Sequence, residues 1–190
     1  MQDQFDLQVS PARIVFGDGS ISRTAEMVRD LGCARAFVLS TPQQKDQADE
    51  LSESIGELSA GVYACATMHT PVEVTEDALK SFEAAGADCT IALGGGSTTG
   101  LGKALAYRTD LPQIVIPTTY AGSEVTPILG QTEAAVKTTI SDARILPEVV
   151  IYDPRMTYGL SASMTVTSAL NALAHAAEAL YAQNRNPLAT

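Results

Sequence analysis

Three consecutive glycines stand where an apolar segment gives way to a helical pattern, in IALGGGSTTGLGKALA (Ile91–Ala106). Gly94, Gly95 and Gly96 carry no side chains that would keep their backbone N–H groups away from a phosphate. Ser97 can cap the following helix or donate its hydroxyl, and the helix N-terminus adds about half a positive charge. The segment predicts a diphosphate-binding turn. An ordinary tight strand-to-helix turn would also explain the glycines alone, and their spacing matches neither the Rossmann motif nor the P-loop.

A second segment, IPTTYAGSEVTPI (Ile116–Ile128), follows the next apolar run along the chain. It is rich in hydroxyl groups, which belong to Thr118, Thr119, Ser123 and Thr126. Ligands of open α/β sheets bind outside the carboxyl ends of the strands, so we expect this segment and the glycines to face one cleft. Composition alone is also compatible with a threonine-rich surface loop.

The elements that must position these residues alternate between short apolar runs and helical patterns. Strands are predicted at Ala12–Gly17, Ala34–Thr41, Val62–Thr67, Cys89–Gly96, Gln113–Thr119 and Val149–Pro154. Helices are predicted at Ser20–Leu31, Gln44–Leu58, Val72–Ala85, Ser97–Tyr107 and Met164–Ala182. Glu124–Ile140 predicts a hairpin outside the main sheet, broken near Gly130 and Ala134. This alternation predicts an α/β fold with a doubly wound, mostly parallel sheet.

The pattern changes after Pro154, where the chain becomes rich in Ala and Leu. We therefore expect residues 1–154 to form an α/β domain and residues 155–190 to begin an all-α domain. Most of that second domain would lie outside this chain.

Charge and composition exclude several classes of partner. The net charge is −10 and no basic run is present, which argues against nucleic acid and against an anionic membrane surface. The first residues do not resemble a signal peptide, and no apolar stretch is long enough to cross a membrane. Cys33, Cys65 and Cys89 lack metal-ligand spacing. They are expected to be buried free thiols, which predicts a cytoplasmic protein.

Five segments, in order, resemble the maleylacetate reductases of the iron-containing (group III) alcohol dehydrogenase family. They are GGGSTTGLGKA, PTTYAGSEVTPILGQTE, a lysine at position 137, LPEVVIYDP and SALNALAHAAEALYA. The resemblance implies the fold shared with glycerol dehydrogenase and dehydroquinate synthase, in which a dinucleotide-binding domain precedes a helical domain. It also implies proteins about twice as long as this chain.

Site residues carry over from the family by position. The resemblance implies that Gly94, Gly95, Gly96 and Ser97 hold the pyrophosphate, and that Lys137 reaches the ribose hydroxyls. Thr118, Thr119 and Thr126 are implied to lie along the nicotinamide and its ribose, with Ser123 in the same loop. Gly100 departs from the family, in which many members carry Asp.

The adenosine end of the coenzyme gives a further expectation. Family members strict for NAD carry an acidic residue after the second strand, whereas this sequence has Ser40, Thr41 and Pro42. Without that negative charge a 2′-phosphate should be tolerated, so we predict use of both NADH and NADPH. His69 is a candidate for a coenzyme contact, although a capping or surface histidine is also compatible with its position.

One polar stripe marks the last helix, at Thr167, Asn171, His175 and Glu178. It could be a solvated face, but we favour a stripe that lines a catalytic cleft. Metal-dependent family members have Asp and His at the positions of Asn171 and His175, and a neutral amide is a poor ligand for Fe²⁺ or Zn²⁺. We therefore predict no metal, with His175 and Asn171 as catalytic donors to the substrate.

The activity implied by the resemblance is NAD(P)H-dependent reduction of maleylacetate, a small dicarboxylate, to 3-oxoadipate during breakdown of aromatic compounds. A homodimer is implied as well. Two alternatives stay open from the residues. One is a metal-dependent alcohol or hydroxyacid dehydrogenase of the same superfamily, and the other is a lyase similar to dehydroquinate synthase.

Overall fold

The structure is a computed structural model that describes residues 13–183, and its main feature is a six-stranded parallel sheet. The strands of this sheet are β1 (Arg13–Phe16), β2 (Ala36–Leu39), β3 (Ser59–Tyr63), β4 (Cys89–Gly94), β5 (Gln113–Pro117) and β8 (Val149–Tyr152). A separate antiparallel hairpin is made of β6 (Ile128–Glu133) and β7 (Val136–Ser141). The helices are α1 (Thr24–Asp30), α2 (Lys45–Ile55), α3 (Val72–Ala84), α4 (Gly96–Thr109) and α5 (Ala162–Tyr181).

The strand order β1-β8-β5-β4-β2-β3 creates a crevice at the middle of the sheet. Helices α1 and α2 pack on one face through a core that includes Met27, Val28 and Leu51. Helices α3 and α4 pack on the other face through Phe82, Leu101 and other apolar side chains. Because α2 follows β2 on one face while α4 follows the adjacent β4 on the other, the carboxyl ends of these two strands flank a ligand crevice. The predicted fold class is confirmed.

Several predicted elements differ from the structure by two or three residues at an end, and two differences change the local topology. The third strand covers Ser59–Tyr63 rather than Val62–Thr67, because pairing with β2 extends through Gly61, which lies opposite Phe37. The hairpin turns only at Ala134 and Ala135, whose φ angles of 46° and 64° suit a two-residue turn, whereas Gly130 lies inside β6. Ala12 and residues 184–190 lie outside the described residues.

Helix α5 is different from the other helices because most of its surface is exposed. Ser168 is its one buried residue, and its hydroxyl accepts a hydrogen bond from the backbone N–H of Tyr120 at 2.8 Å. Leu170 and Leu173 are exposed by 60% and 65%. Helix α5 thus contacts the α/β domain mainly at one edge of the crevice. The domain boundary near residue 154 stays a prediction.

Two sequence expectations about the whole chain can be compared with the described residues. Between residues 13 and 183, no helix combines the length and apolar character needed to cross a bilayer. Cys33 and Cys89 are buried free thiols, as expected, but the expectation was wrong for Cys65, which is exposed. Cys65 follows the end of β3, although the sequence pattern places it within the predicted third strand.

Candidate functional site

The three glycines lie at the carboxyl end of β4 and form a cradle that we name the glycine turn (Gly94–Gly96). Gly94 is closely surrounded: a Cβ there would overlap Thr98 Oγ1 and lie 2.8 Å from Gln44 Oε1. A Cβ on Gly95 would lie 3.0 Å from Thr119 Cγ2. Gly96, the first residue of α4, has nothing within 4 Å of the same position and is exposed. The turn therefore packs tightly on its inner side and presents bare backbone to solvent on its outer side.

Two buried hydroxyl groups beside this turn have no hydrogen-bond partner in the described chain. They are Ser40 Oγ, just after β2, and Thr98 Oγ1, in the first turn of α4. Both residues are fully buried. Buried polar atoms are normally paired, so these two hydroxyls are exceptions within the packed inner side of the turn.

The segment that follows β5, which we name the threonine loop (residues 118–128), closes against the glycine turn. The backbone N–H of Thr118 donates to the Gly94 carbonyl at 3.0 Å. The Thr118 hydroxyl accepts from Gln44 Nε2 at 3.0 Å, and Thr41 Oγ1 lies 3.4 Å from Gln44 Oε1. Gln44 thus joins the carboxyl ends of β2 and β5 across the crevice.

A cleft of about 830 Å³ opens over these elements. Its lining brings together residues from the β2–α2 connection, the glycine turn, the threonine loop and α5, among them Thr41, Gln44, Asp46, Gly95, Gly96, Ser97, Thr118, Thr119, Met164, Thr167, Ser168 and Asn171. The sequence prediction that the glycine and threonine segments face one cleft is confirmed. Pro42 is exposed and does not line the cleft.

A smaller pocket of about 220 Å³ lies on the other side of the α4 N-terminus. Ser97, His69 and Lys137 line it together, although they come from three separate parts of the chain. His69 and Thr70 have φ angles of 67° and 46°, so this turn holds two residues in a left-handed conformation that is costly for side chains other than glycine. The pocket offers two basic side chains next to a helix N-terminus, which suits an anionic or hydroxylated ligand.

Because Gly100 has no side chain, the turn that contains His69 and Thr70 can pack directly against α4. A Cβ at Gly100 would overlap Thr70 Oγ1, and Thr70 is buried. The space that an aspartate side chain would need is therefore filled by Thr70. This accounts for the departure from the family pattern noted in the sequence.

Ser123 and Thr126 lie in the threonine loop, but their hydroxyls already have partners in the protein. Both accept hydrogen bonds from Lys103 Nζ, at 3.2 and 3.1 Å. The Thr126 hydroxyl also donates to the Ser123 carbonyl at 3.1 Å. Their direct contact with a coenzyme stays a prediction.

The polar stripe of α5 divides into two parts. Thr167 and Asn171 line the large cleft. His175 and Glu178 are exposed beyond it, with His175 Nδ1 3.8 Å from Glu178 Oε2. The catalytic roles assigned to Asn171 and His175 stay predictions, because only Asn171 faces the described part of the cleft.

Among the described residues, the lining of the large cleft offers no histidine and no cysteine to a metal ion. Asn171 offers a neutral amide, and His69 lines the other pocket, away from His175. Within residues 13–183, the one group of three possible ligands that lie close together is Cys33, Asp88 and Cys89, at the amino edge of the sheet. Burial raises the pKa of both thiols, and the Asp88 carboxylate accepts from two backbone N–H groups, of Ala34 and Arg35. This group is structural in character.

Sequence reasoning missed several residues of the site: Gln44, Asp46, Lys103, Met164 and Ser168. Gln44 and Asp46 start a helix that was predicted, but which of its side chains turn toward the crevice depends on how α2 packs. A signal for Lys103 was present, because it is a single charged residue in the apolar segment LGKALA. Such a residue in a helix packed against a sheet requires buried partners.

Comparison with known proteins gives the relatives of this chain. It is 64% identical over 186 residues to the maleylacetate reductase of Rhizobium sp. (strain MTP-10005), covering 98% of this chain and 53% of that protein. It is 50% identical over 185 residues to the maleylacetate reductase of Sphingobium indicum, covering 97% of this chain and 52% of that protein. The chain thus spans about half the length of these curated relatives.

Solved structures agree with this relationship. The crystal structure of maleylacetate reductase from Agrobacterium tumefaciens superposes with a TM-score of 0.96 at 63% identity, over 99% of this chain and 53% of that one. A sulfoacetaldehyde reductase from Bifidobacterium kashiwanohense, solved in complex with NAD⁺, superposes with a TM-score of 0.89 at 22% identity, over 97% of this chain and 55% of that one. At that identity the likeness shows the shared fold alone.

The sequence model of the family described as iron-containing alcohol dehydrogenase matches residues 11–154. This range includes the glycine turn, the threonine loop and the hairpin with Lys137. The chain therefore belongs to the iron-containing alcohol dehydrogenase family.

Proposed function

We propose that this chain is the dinucleotide-binding half of an NAD(P)H-dependent reductase that converts maleylacetate to 3-oxoadipate. The observation that carries the proposal is the glycine turn, whose bare backbone and helix N-terminus open on a cleft lined by hydroxyl groups. The high identity to maleylacetate reductases, up to 64%, supports the choice of substrate. No observation on residues 13–183 favours the alternative of a metal-dependent alcohol dehydrogenase or of a lyase.

Backbone groups and side chains of this chain would both contact the coenzyme. Backbone N–H groups at Gly96 and Ser97 would bind the diphosphate, helped by the positive end of α4. Thr118 and Thr119 would contact the nicotinamide side, while Lys137 and His69 would reach hydroxyl or phosphate oxygens from the smaller pocket. When bound, a reduced nicotinamide coenzyme supplies the hydride for reduction of a carbon–carbon double bond.

The substrate carries at least two carboxylates, so the cleft must supply hydrogen-bond donors. From this chain, the Asn171 amide lies on the cleft wall, and His175 continues the same helix face. Placed donors hold the reacting bond in position and exclude water from it. The remaining donors and the group that supplies the proton would come from the part of the protein outside this chain.

The full-length protein should oxidise NADH when maleylacetate is added, which absorbance at the nicotinamide band measures directly. The 190-residue chain should bind NADH but show no turnover. Asn171→Ala in the full-length protein should lower kcat/KM for maleylacetate roughly thirtyfold, about 2 kcal/mol, with unchanged NADH affinity. Turnover by the 190-residue chain, or no turnover by the full-length protein, would contradict the proposal.

We expect both NADH and NADPH to serve, with kcat/KM values within about a hundredfold of each other, or roughly 3 kcal/mol. No carboxylate occurs at Ser40, Thr41 or Pro42, but the structure brings Asp46 onto the cleft wall from the start of α2. Asp46→Asn should therefore raise the NADPH-to-NADH ratio of kcat/KM about tenfold, because it removes one negative charge near a 2′-phosphate.

Asp49→Asn is the matched control for that change. It removes the same charge from the same helix, but Asp49 pairs with Lys45 and does not line the cleft. Its coenzyme ratio should equal that of the unsubstituted protein. An equal effect of both substitutions would show that Asp46 acts only through net charge.

We also propose that the reaction needs no metal, because the donor set at Asn171 and His175 is a poor one for Fe²⁺ or Zn²⁺. The purified full-length protein should contain iron and zinc well below one ion per chain, and a chelator should leave kcat unchanged. Stoichiometric metal whose removal abolishes turnover would overturn this part of the proposal. A homodimer and a cytoplasmic location are proposed on the family resemblance and on the free thiols.

A further inference from the structure

The most completely buried charged side chain among the described residues is that of Lys103, on α4. It has no accessible surface and lies two helical turns after Gly96. Its position is on the side of α4 that faces the threonine loop and the hairpin. A lysine is rarely fully buried unless its charge has partners, so its surroundings need an explanation.

The ammonium group of Lys103 is enclosed by oxygen atoms of the threonine loop. Nζ donates to the backbone carbonyls of Ser123, Thr126 and Ile128, the latter two at 2.7 and 3.0 Å. The hydroxyls of Ser123 and Thr126 lie at 3.2 and 3.1 Å. Five acceptors surround three N–H groups, so one side chain fixes the backbone of six consecutive residues.

The charge of Lys103 is opposed by a buried carboxylate on the same loop. Glu124 is 4% exposed, and its Oε1 accepts from the Tyr152 hydroxyl at 2.8 Å. Burial raises the pKa of Tyr152, so this phenol stays a donor. Glu124 therefore ties the other side of the threonine loop to β8, while Lys103 ties it to α4.

We propose that Lys103 is a positioning residue for the coenzyme: its ammonium group holds the threonine loop so that Thr118 and Thr119 face the glycine turn before the coenzyme arrives. This inference rests on the proposed function. It also gives Ser123 and Thr126 a different role from the one implied by the family resemblance, since their hydroxyls serve the lysine. A loop held in its binding conformation loses less conformational freedom when the ligand binds, which raises affinity.

The protonation of Lys103 makes this arrangement sensitive to pH. Burial lowers the pKa of Lys103 to about 8, and the negative charge of Glu124 opposes that shift. The other titratable groups around it are His69, from the turn before α3, and Lys137, from the hairpin, which line the same small pocket. As the pH rises through about 8, the amine loses its charge and one donor, so the loop is held less firmly.

The test measures NADH affinity of the full-length protein by fluorescence titration from about pH 7 to about pH 9, one unit on either side of the Lys103 pKa. The dissociation constant should rise with pH across this range. Lys103→Met should raise it about tenfold or more at the lower pH and remove the pH dependence. Lys80→Met, which changes an exposed lysine on α3, should behave like the unsubstituted protein.

Two further measurements separate positioning from a general loss of stability. Glu124→Gln should move the midpoint of the affinity profile to lower pH, because it removes the charge that supports protonation. If Lys103→Met does not fold, the midpoint measured for Glu124→Gln tests the role of Lys103 by itself. Amide hydrogen exchange without coenzyme should be faster in residues 119–128 of Lys103→Met and unchanged in β4 and β5.

The outcomes distinguish this inference from the proposed function. If the unsubstituted protein binds no reduced coenzyme, the proposed function fails. If it binds coenzyme with a flat pH profile, or if Glu124→Gln leaves the midpoint in place, the role of Lys103 is wrong. Equal exchange and equal affinity in Lys103→Met would overturn it as well.

Discussion

Replacing Gly96 with valine should lower the affinity of the full-length protein for NADH about a thousandfold, or roughly 4 kcal/mol, and leave its fold intact. Gly96 is the first residue of α4 and lines both pockets of the site. A Cβ at this position meets no protein atom within 4 Å, and Gly96 lines the cleft, so we expect a valine side chain to extend into it. It would occupy the place where a diphosphate approaches the helix N-terminus and would remove two or more charge-assisted hydrogen bonds, each of about 1.5–3 kcal/mol.

The measurement is calorimetric titration with NADH, accompanied by thermal unfolding of both proteins. Ala162→Val is a matched control, since Ala162 is the exposed first residue of α5 and does not line the cleft. The control should bind NADH normally, and neither substitution should change Tm appreciably. Binding by Gly96→Val within tenfold of the unsubstituted protein would mean that the diphosphate does not lie at this helix end.

Replacing Gly94 with alanine should destabilise the fold, in contrast to the change at Gly96. We expect a loss of about 3 kcal/mol in the free energy of unfolding. Gly94 lies on the packed inner side of the glycine turn with φ of 157°, a conformation that residues with side chains rarely adopt. An added methyl group would overlap Thr98 Oγ1 and lie 2.8 Å from Gln44 Oε1. Thr98 is fully buried, and movement of Gln44 would break its hydrogen bond to Thr118.

Denaturant unfolding measures this loss. The double variant Gly94→Ala/Thr98→Ala tests the cause, because removing the Thr98 hydroxyl should recover part of the stability lost in the single variant. If the single variant is as stable as the original protein, or if the second substitution recovers nothing, then overlap with the Thr98 hydroxyl is not what requires glycine at position 94.

The sequence alone was sufficient for the fold class and for the position of the glycine turn at the carboxyl end of β4. Both depend on local information: apolar runs that alternate with helical patterns, and three glycines between a strand and a helix. In a parallel sheet all strand ends that precede a helix lie at the same edge, so the glycine turn and the threonine loop had to meet there. The family resemblance added Lys137, and the position of His69 after the third predicted strand made it a candidate; the structure places both in one pocket with Ser97.

What only the tertiary structure decided was the use of each polar side chain. In the sequence, the hydroxyls of Thr118, Ser123 and Thr126 are equivalent candidates. In the structure, Lys103 donates hydrogen bonds to the hydroxyls of Ser123 and Thr126, and Gln44 donates one to that of Thr118. Asp46 reached the cleft although no acidic residue follows β2 directly. Hydrogen bonds between residues far apart in the chain depend on how helices pack against the sheet. No local pattern encodes that packing.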